Sequence, residues 1–143
     1  MKIRNLLFYI FVVILFFSAR IPQLGEDIVN ADAARWHARS INFLNSLKSG
    51  DYKGTYQHNQ PGVTLMWVES LRLLIFKTEL NTQKLNDSSF YIENNIYSKL
   101  TLVLVLGLLF IISIYLLSNL FNSEIALIYG LIFSTEPFVI GID

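Results

Sequence analysis

The stretch of residues 100–121 contains no charged residue and consists mainly of Leu, Ile, Val and Phe. At 1.5 Å per residue, a helix of about 22 residues is about 33 Å long, which is enough to cross the roughly 30 Å hydrocarbon core of a bilayer. Inside that core a chain has to satisfy its own backbone hydrogen bonds, and an α-helix does so within a single segment. The sequence therefore predicts a membrane-spanning helix over residues 99–121.

Two further apolar runs lie towards the ends of the chain. Residues 6–17 form one run, and residues 125–142 form the other, after a short polar turn at 122–124. A cleaved signal peptide is the alternative for the first run, but Ser18-Ala19-Arg20 is a poor small-x-small cleavage site, so a retained anchor over residues 1–19 is favoured. We expect an all-α polytopic membrane protein with three transmembrane helices.

Basic residues indicate the orientation of the chain. Lys2 and Arg4 precede the first apolar run, and basic residues concentrate on the cytoplasmic side of membrane proteins. The amino terminus is therefore predicted in the cytoplasm, and residues 20–98 form an extracytoplasmic loop of a multi-pass protein of the cell membrane. Near the other end, Glu136-Pro137 is expected to interrupt the third helix at an interface, where the carboxylate reaches water.

The composition excludes several classes of function. Eleven basic and eleven acidic side chains give a formal net charge of +0, so the charge gives no indication of nucleic-acid binding. Cysteine is absent, which excludes disulfides, thiolate zinc sites, iron–sulfur clusters and cysteine nucleophiles. The two histidines, His37 and His58, lack the spacing of metal ligands, and neither a metal nor a cofactor is predicted.

The first part of the extracytoplasmic loop has the pattern of an amphipathic helix. Residues 33–48 are rich in helix formers, with Asp32 as a cap before them and Gly50 as a stop after them. Apolar side chains recur along one face at Trp36, Phe43, Leu44 and Leu47. We expect this helix to lie in the membrane interface.

A second loop helix is predicted over residues 63–77. It is apolar except for Glu69 and Arg72, and it is too short to span a membrane with a charge pair at its centre. We therefore expect it to be interfacial as well, with Trp67 as an anchor at the level of the lipid headgroups. Residues 78–97 are polar and rich in Asn, and they are predicted to form a loop with a short helical piece.

The candidate for chemistry is Asp32, which follows shortly after the first predicted span. A carboxylate beside a membrane serves as a general base when partial burial raises its pKa and a nearby guanidinium, such as that of Arg35 or Arg39, holds it ionised. At the start of a helix, however, aspartate is far more often an N-cap than a base. The chemistry of the residues alone leaves both interpretations open.

Several short motifs occur in an order that resembles a known family. Along the chain they are Asp32, Trp36, Arg39-Ser40, Phe43-Leu44, Gly50-Asp51, Thr55-Tyr56-Gln57 and Pro61-Gly62-Val63-Thr64-Leu65-Met66-Trp67. This order resembles the amino-terminal portion of GT-C membrane glycosyltransferases of the dolichyl-phosphate-mannose protein mannosyltransferase and aminoarabinose transferase type. The closest stretch is 50–67, because bacterial members often carry Gly-Asp, Thr-Tyr and His-Pro-Gly-Val-Thr-x-x-Trp in that order.

The resemblance implies an enzyme that takes a sugar from a polyprenyl-phosphate carrier and delivers it, with inversion, to an extracytoplasmic acceptor. It implies that Asp32, the acidic residue early in the first external loop, is the catalytic base. Arg35 or Arg39 would steady the departing lipid phosphate, since guanidinium pairs with phosphate in a bidentate way, and His58 and Gln60 would bind substrate. The expected partners are membrane lipid, the lipid-linked sugar and an acceptor that is a protein, a lipid or a glycan.

Two positions depart from the family pattern. The family's Asp-Glu is Asp32-Ala33 here, and the histidine before Pro-Gly is Gln60. Members of the family are also longer and have more spans, so the chain is expected to correspond to an amino-terminal fragment that is inactive by itself. The alternative function is that of a small non-enzymatic membrane protein whose external segment binds a partner or a lipid.

Overall fold

The α-helix is the only regular secondary structure in the residues that the computed structural model describes, which are 3–25, 31–57, 63–76 and 88–136. The helices in these ranges are α1 (Ile3–Arg20), α2 (Ala31–Ser49), α3 (Val63–Ile75), α4 (Ser88–Leu120) and α5 (Ser123–Thr135). The prediction of an all-α protein is confirmed. The chain divides into two units: unit 1 comprises Met1–Leu24 and Leu102–Asp143, and unit 2 comprises Gly25–Thr101.

Helix α4 begins at Ser88 and covers all the described residues of the 78–97 segment, so the helical part is longer than the short piece that the sequence predicts there. Asparagine has a low helix propensity, which is why an Asn-rich stretch favoured a loop. In the structure Asn94 Oδ1 accepts a hydrogen bond of 2.8 Å from Arg72 Nη1, and Asn95 Nδ2 donates one of 3.1 Å to a backbone carbonyl. These tertiary hydrogen bonds outweigh the weak local preference.

Helix α4 also contains the one segment, within the described ranges, that is long and apolar enough to cross a membrane, Tyr91–Leu120. Only 28% of an apolar 18-residue stretch of this segment is buried inside the protein. Most of the apolar surface of the stretch therefore faces outward. Two shorter helical segments, Asn5–Arg20 of α1 and Ser123–Thr135 of α5, are also apolar.

Helix α5 begins and ends at polar residues. Asn122 is its N-cap, and its side-chain Oδ1 accepts a hydrogen bond of 2.8 Å from the backbone N–H of Ile125. The helix ends at Thr135, and Glu136 is extended, with φ −70° and ψ 117°. The predicted third helix, over 125–142, therefore stops before Pro137 as far as the structure describes it, and residues 137–142 lie outside the described ranges.

Unit 1 has a core of apolar and aromatic side chains from α1, α4 and α5. Its buried members are Val12, Phe16, Val103, Phe110, Ile114 and Ala126. The rings of Phe16 and Phe110 are stacked, with centroids 4.7 Å apart. Gly130 of α5 lies directly against α1, since a Cβ added there would be 2.7 Å from Val12 Cγ1. A small residue at this position lets the two helices approach closely.

The ends of α1 and α5 are joined by Arg20, which is 4% exposed. Its Nη1 donates to the carbonyl oxygens of Phe16 (3.2 Å) and Ser134 (3.3 Å), and its Nη2 donates to that of Phe133 (3.3 Å). The guanidinium carbon also lies 4.0 Å from the ring centroid of Phe16. A cation at the carboxyl end of a helix pairs with the last carbonyls and with the helix dipole, so Arg20 stabilises the end of α5.

Unit 2 is organised around the contact between α2 and α3. Ile41 and Leu44 of α2 pack against Leu73 of α3 in a buried cluster. Beside it the rings of Phe43 and Trp67 meet edge to face, with centroids 5.2 Å apart. Two members of the predicted apolar face of α2, Phe43 and Leu44, therefore pack on α3, and Ile41, which was not predicted, joins them there.

Candidate functional site

Three of the predicted site residues lie on α2. Asp32 is in the first turn of the helix, which begins one residue earlier, and is not the N-cap that the sequence favoured. Arg35 is exposed, and Arg39 is partly buried with its guanidinium carbon 5.3 Å from the centroid of a tryptophan ring of the same helix. Positions three, four and seven apart share one side of a helix, so the three positions lie on one side of α2. His58 and Gln60 lie outside the described residues.

The Gly50-Asp51 motif ends α2. Gly50 has a φ of 74°, in the left-handed region that favours glycine. Its N–H donates to the carbonyl of Leu47 (3.2 Å), and the N–H of Asp51 donates to the carbonyl of Ser46 (2.9 Å). This pair of hydrogen bonds is the Schellman motif, so the prediction that Gly50 stops the helix is confirmed.

The residues that follow make local hydrogen bonds. Asp51 Oδ1 accepts from the backbone N–H of Gly54 at 3.0 Å. Thr55 Oγ1 donates to the carbonyl of Tyr52 at 2.7 Å, and Gln57 Nε2 donates to the carbonyl of Gly54 at 2.9 Å. The polar motif residues of this loop thus shape its backbone.

The polar centre of unit 2 is the carboxylate of Glu69, which is 5% exposed. Its Oε1 accepts hydrogen bonds from His37 Nδ1 (3.0 Å) and Ser98 Oγ (2.6 Å). Arg72 Nη2 lies 2.9 Å from the same oxygen and forms an ion pair with it. Since an ionised carboxylate only accepts, the Nδ1 of His37 carries the proton. One oxygen atom thus joins α2, α3 and α4.

Arg72 extends this arrangement to a second residue of α4. The residue is 0% exposed, and its Nη1 donates to Asn94 Oδ1 at 2.8 Å. Ser98 has a single hydroxyl hydrogen, which is shared between Glu69 and the backbone carbonyl of Asn94 at 2.7 Å. We call His37, Glu69, Arg72, Asn94 and Ser98 the Glu69 network.

The surroundings of Glu69 hold it in the charged form. Burial raises the pKa of its carboxyl group, but the hydrogen bond from His37, the charge of Arg72 and the hydrogen bond from Ser98 lower it by more. The net pKa lies below the usual value, so Glu69 is ionised at neutral pH and balances the buried charge of Arg72.

Three buried polar atoms beside the network have no hydrogen-bond partner within the described part of the chain. They are His37 Nε2, Ser40 Oγ and Ser70 Oγ. His37 uses Nδ1 for the carboxylate, so Nε2 is the ring nitrogen that makes no hydrogen bond within the described ranges. These side chains are at most 4% exposed, so in this conformation they contact neighbouring helices and not solvent. No three His, Cys, Asp or Glu side chains in the described ranges come together as a metal site.

Part of this network is recognisable in the sequence. Glu69 and Arg72, a charge pair three residues apart on an otherwise apolar helix, were recognisable, but the pattern indicated only an interfacial helix. Their partners His37, Asn94 and Ser98 are on two other helices, and local periodicity does not reveal contacts between elements. The one signal in the sequence that points to such a network is a polar residue at a position where the periodicity of an amphipathic helix predicts an apolar one.

Comparison of the chain with family models, with curated proteins and with solved structures finds no match. The resemblance to the GT-C glycosyltransferases therefore depends on the order of the short motifs between Asp32 and Trp67.

Proposed function

We propose that the chain acts in a membrane glycosyltransferase, which transfers a sugar from a polyprenyl-phosphate-linked donor to an extracytoplasmic acceptor with inversion. The observation that carries the proposal is the order of motifs from Asp32 to Trp67. The structure supports it in one respect: Asp32, Arg35 and Arg39 are at positions that share one side of α2, and α2 is held in place by the packing of Ile41 and Leu44 on α3. A base and two guanidinium groups are thus carried on one side of a fixed helix.

The proposal includes a membrane arrangement in which α1 and α4 cross the bilayer, with the amino terminus in the cytoplasm, and α5, of which 13 residues are helical, is embedded beside them. Unit 1 is apolar inside and outside, and large exposed hydrophobic side chains on its three helices include Leu7, Phe11, Ile14, Leu104, Leu108, Ile112, Ile128 and Ile132. A continuous apolar surface of this kind is rare on soluble proteins and matches contact with lipid. We therefore infer that lipid covers this unit.

Helix α3 would lie at the membrane surface on the extracytoplasmic side. Most of its outward residues are apolar and include Val63, Trp67, Leu71 and Leu74, each 44% to 55% exposed. Within unit 2, Phe76 stacks on Tyr97 of α4 with centroids 4.7 Å apart. Tyr97 lies three residues before the uncharged run that starts at Leu100. The end of α3 is therefore level with the start of that run, where an interfacial helix belongs.

In the proposed reaction Asp32 removes the proton of the acceptor hydroxyl as the acceptor oxygen bonds to the anomeric carbon. The bond between that carbon and the phosphate oxygen breaks on the opposite face, so the configuration inverts and polyprenyl phosphate leaves with its electron pair. Arg35 and Arg39 offset the charge that develops on the leaving phosphate. The donor supplies both the sugar and the leaving group. The atoms and electrons of the step therefore balance without an oxidant or a metal.

The test is Asp32→Asn in membranes that contain the full product of the gene. Sugar transfer from a labelled polyprenyl-phosphate donor should fall by about 10²–10⁴-fold, the usual contribution of a general base. Asp51→Asn is the matched control, because Asp51 is exposed and its side chain accepts a hydrogen bond only from the backbone of its own loop in the described structure; this variant should retain transfer. Unchanged turnover in a folded Asp32→Asn protein would remove Asp32 from the mechanism.

The alternative function, binding of a partner or lipid by the external segment without catalysis, is favoured by one observation. Tyr52 and Tyr56 are 76% and 71% exposed on the loop after α2, and tyrosine is enriched in protein interfaces. Absence of transfer from every donor, together with a stable complex that depends on these two rings, would favour the alternative.

A further inference from the structure

His37 makes the buried contact of the first part of α2. Of residues 35–39, His37 alone is buried, and the other four are exposed or half-buried. The apolar packing of α2 on α3 begins later, at Ile41. At 1.5 Å per residue, Ile41 lies about 13.5 Å along the helix from position 32, whereas His37 lies about 7.5 Å from it. Among the described side chains, His37 is therefore the buried contact nearest to the proposed catalytic position.

The hydrogen bond of His37 goes to an acceptor that other residues already hold. Its Nδ1 lies 3.0 Å from Glu69 Oε1. That oxygen also accepts a hydrogen bond of 2.6 Å from Ser98 Oγ of α4, and it pairs with Arg72 Nη2 of α3 at 2.9 Å. The ring of His37 also meets Tyr91 of α4 edge to face, with centroids 5.8 Å apart. Because the acceptor is fixed on two helices, the hydrogen bond to it fixes the position of its donor on α2.

The polar role of the imidazole passes through Nδ1. Within the described ranges His37 Nε2 has no hydrogen-bond partner. A hydrogen bond to an ionised carboxylate is about twice as strong as one between neutral groups. Helix ends open locally unless contacts with the rest of the fold hold them, so this bond bears directly on the first turns of α2.

We propose that His37 is a positioning residue, which holds the start of α2, and with it positions 32, 35 and 39, in the place that sugar transfer requires. His37 acts through the helix backbone and touches no reacting atom. The inference rests on the proposed function for the chemistry of those three positions. A displacement of about 1 Å can lower an enzymatic rate by about 10²-fold, so the attachment of this helix start matters for the reaction.

The first test compares His37→Leu with His37→Asn in the purified full chain in detergent micelles. The two new side chains have the same shape and number of heavy atoms, but only Asn carries an N–H that can donate to Glu69. Hydrogen exchange is measured at the backbone N–H groups of residues 35–38, the first that bond within a helix starting at Ala31. The N–H groups of residues 45–48, near the other end of α2, are the internal reference.

His37→Leu should speed exchange at residues 35–38 by about 10- to 100-fold, which corresponds to the loss of a hydrogen bond to a charged group. Exchange at residues 45–48 should stay unchanged, because Ile41 and Leu44 still pack on α3. His37→Asn should stay within about threefold of the wild-type protein at both places. Leucine is the better helix former of the two, so faster exchange in the leucine variant does not come from helix propensity.

The second test measures sugar transfer in membranes that contain the full product of the gene, per amount of folded protein. His37→Leu should raise the KM for the lipid-linked donor about tenfold, because the guanidinium groups proposed to bind its phosphate move, and should lower kcat about 10²-fold. A loss of folded protein alone would lower the total rate and leave KM unchanged. His37→Asn should return both constants to within about threefold of the wild-type values.

Ser40→Ala is the matched control for both tests. Ser40 is 0% exposed on the same helix, and its Oγ makes no hydrogen bond within the described ranges. The substitution therefore removes a buried polar group of α2 without removing a bond. Exchange, KM and kcat should all remain at their wild-type values.

The inference is overturned if residues 35–38 exchange equally in His37→Leu and the wild-type protein, or if His37→Asn is as disruptive as His37→Leu. Faster exchange with an unchanged KM and kcat also overturns it, since the bond would then hold the helix without positioning the site. A wild-type protein that transfers no sugar overturns the proposed function instead. The exchange comparison still decides in that case whether His37 holds the start of α2.

Discussion

Glu69 and Arg72 are buried charges that depend on each other. Glu69 is 5% exposed and Arg72 is 0% exposed, yet each has its counter-charge at 2.9 Å. A buried ion pair adds little to stability compared with apolar residues of the same volume, but removing one partner leaves the other charge without compensation. The effect of a substitution in this pair therefore comes mainly from the residue that remains.

Replacing Glu69 by Gln should destabilise unit 2 by about 3–5 kcal/mol, because the guanidinium of Arg72 would stay buried without its counter-ion. The measurement is chemical unfolding of the purified protein in detergent micelles, followed by circular dichroism. Glu93→Gln is the matched control, since Glu93 is an exposed glutamate on the first turns of α4 in the same unit, and its effect should be within about 0.5 kcal/mol. Equal losses for both variants would contradict the role of the Glu69 network.

The stability of unit 2 should fall in acid through Glu69. Its folded-state pKa lies below its usual value of 4.5, so its contribution is fully present above the usual value and is lost as the pH falls through the folded value. Unfolding curves from neutral pH down to acid should therefore converge for the wild-type protein and Glu69→Gln. A difference between the two that persists unchanged in acid would show that the carboxylate charge is not its source.

At the residue scale, the sequence identified charged groups but not their partners. Asp32, Arg35 and Arg39 could be placed on one side of a helix because helical spacing is a local property. The contact of His37 with Glu69 depends on how α2 packs on α3, and 32 positions separate the two residues. Nothing in the local pattern fixes that packing.

At the scale of elements, helices were predictable where apolar periodicity or end signals were strong. Gly50 was identified as the end of α2, and its left-handed backbone and paired hydrogen bonds confirm it. The start of α4 was not predictable, because its Asn-rich turns are stabilised by bonds from Asn94 and Asn95 to residues distant in the chain. Tertiary contacts there outweigh helix propensity.

Close packing between α1 and α5 gives a prediction about elements. Gly130→Ala should destabilise unit 1 by about 1–3 kcal/mol, since its new methyl group would overlap Val12 Cγ1 and valine has little freedom to move. The measurement is again unfolding in detergent micelles. Adding Val12→Ala should restore part of the stability lost in Gly130→Ala, because it removes the methyl group that the new alanine overlaps.

A control for this pair is Ile132→Ala, which truncates a side chain of α5 that is 61% exposed. That change leaves the contact between α1 and α5 intact and should cost little in micelles. If the double variant Gly130→Ala with Val12→Ala is less stable than the sum of the two single changes predicts, overlap at this position is not the reason for the glycine.

For the whole molecule, the division into two units follows the separation of apolar and polar residues along the chain. The predicted anchor and the two apolar runs near the carboxyl end supply α1, most of α4 and α5, and the polar middle supplies unit 2. Helix α4 has residues in both units. The sequence does not predict that this helix is continuous, because its first turns are polar. Sequence hydropathy thus indicated which residues share a unit but not where one helix passes from one unit to the other.

The bonds of Arg20 have a consequence for how the protein is made. Arg20 and Ser134 are 114 positions apart, and ribosomes add about 5–20 residues per second. Roughly 6 to 23 s therefore pass between the synthesis of the guanidinium and that of the carbonyl groups it binds. During that interval α1 exists without α5, so the completed bundle can close only after α5 has been synthesised.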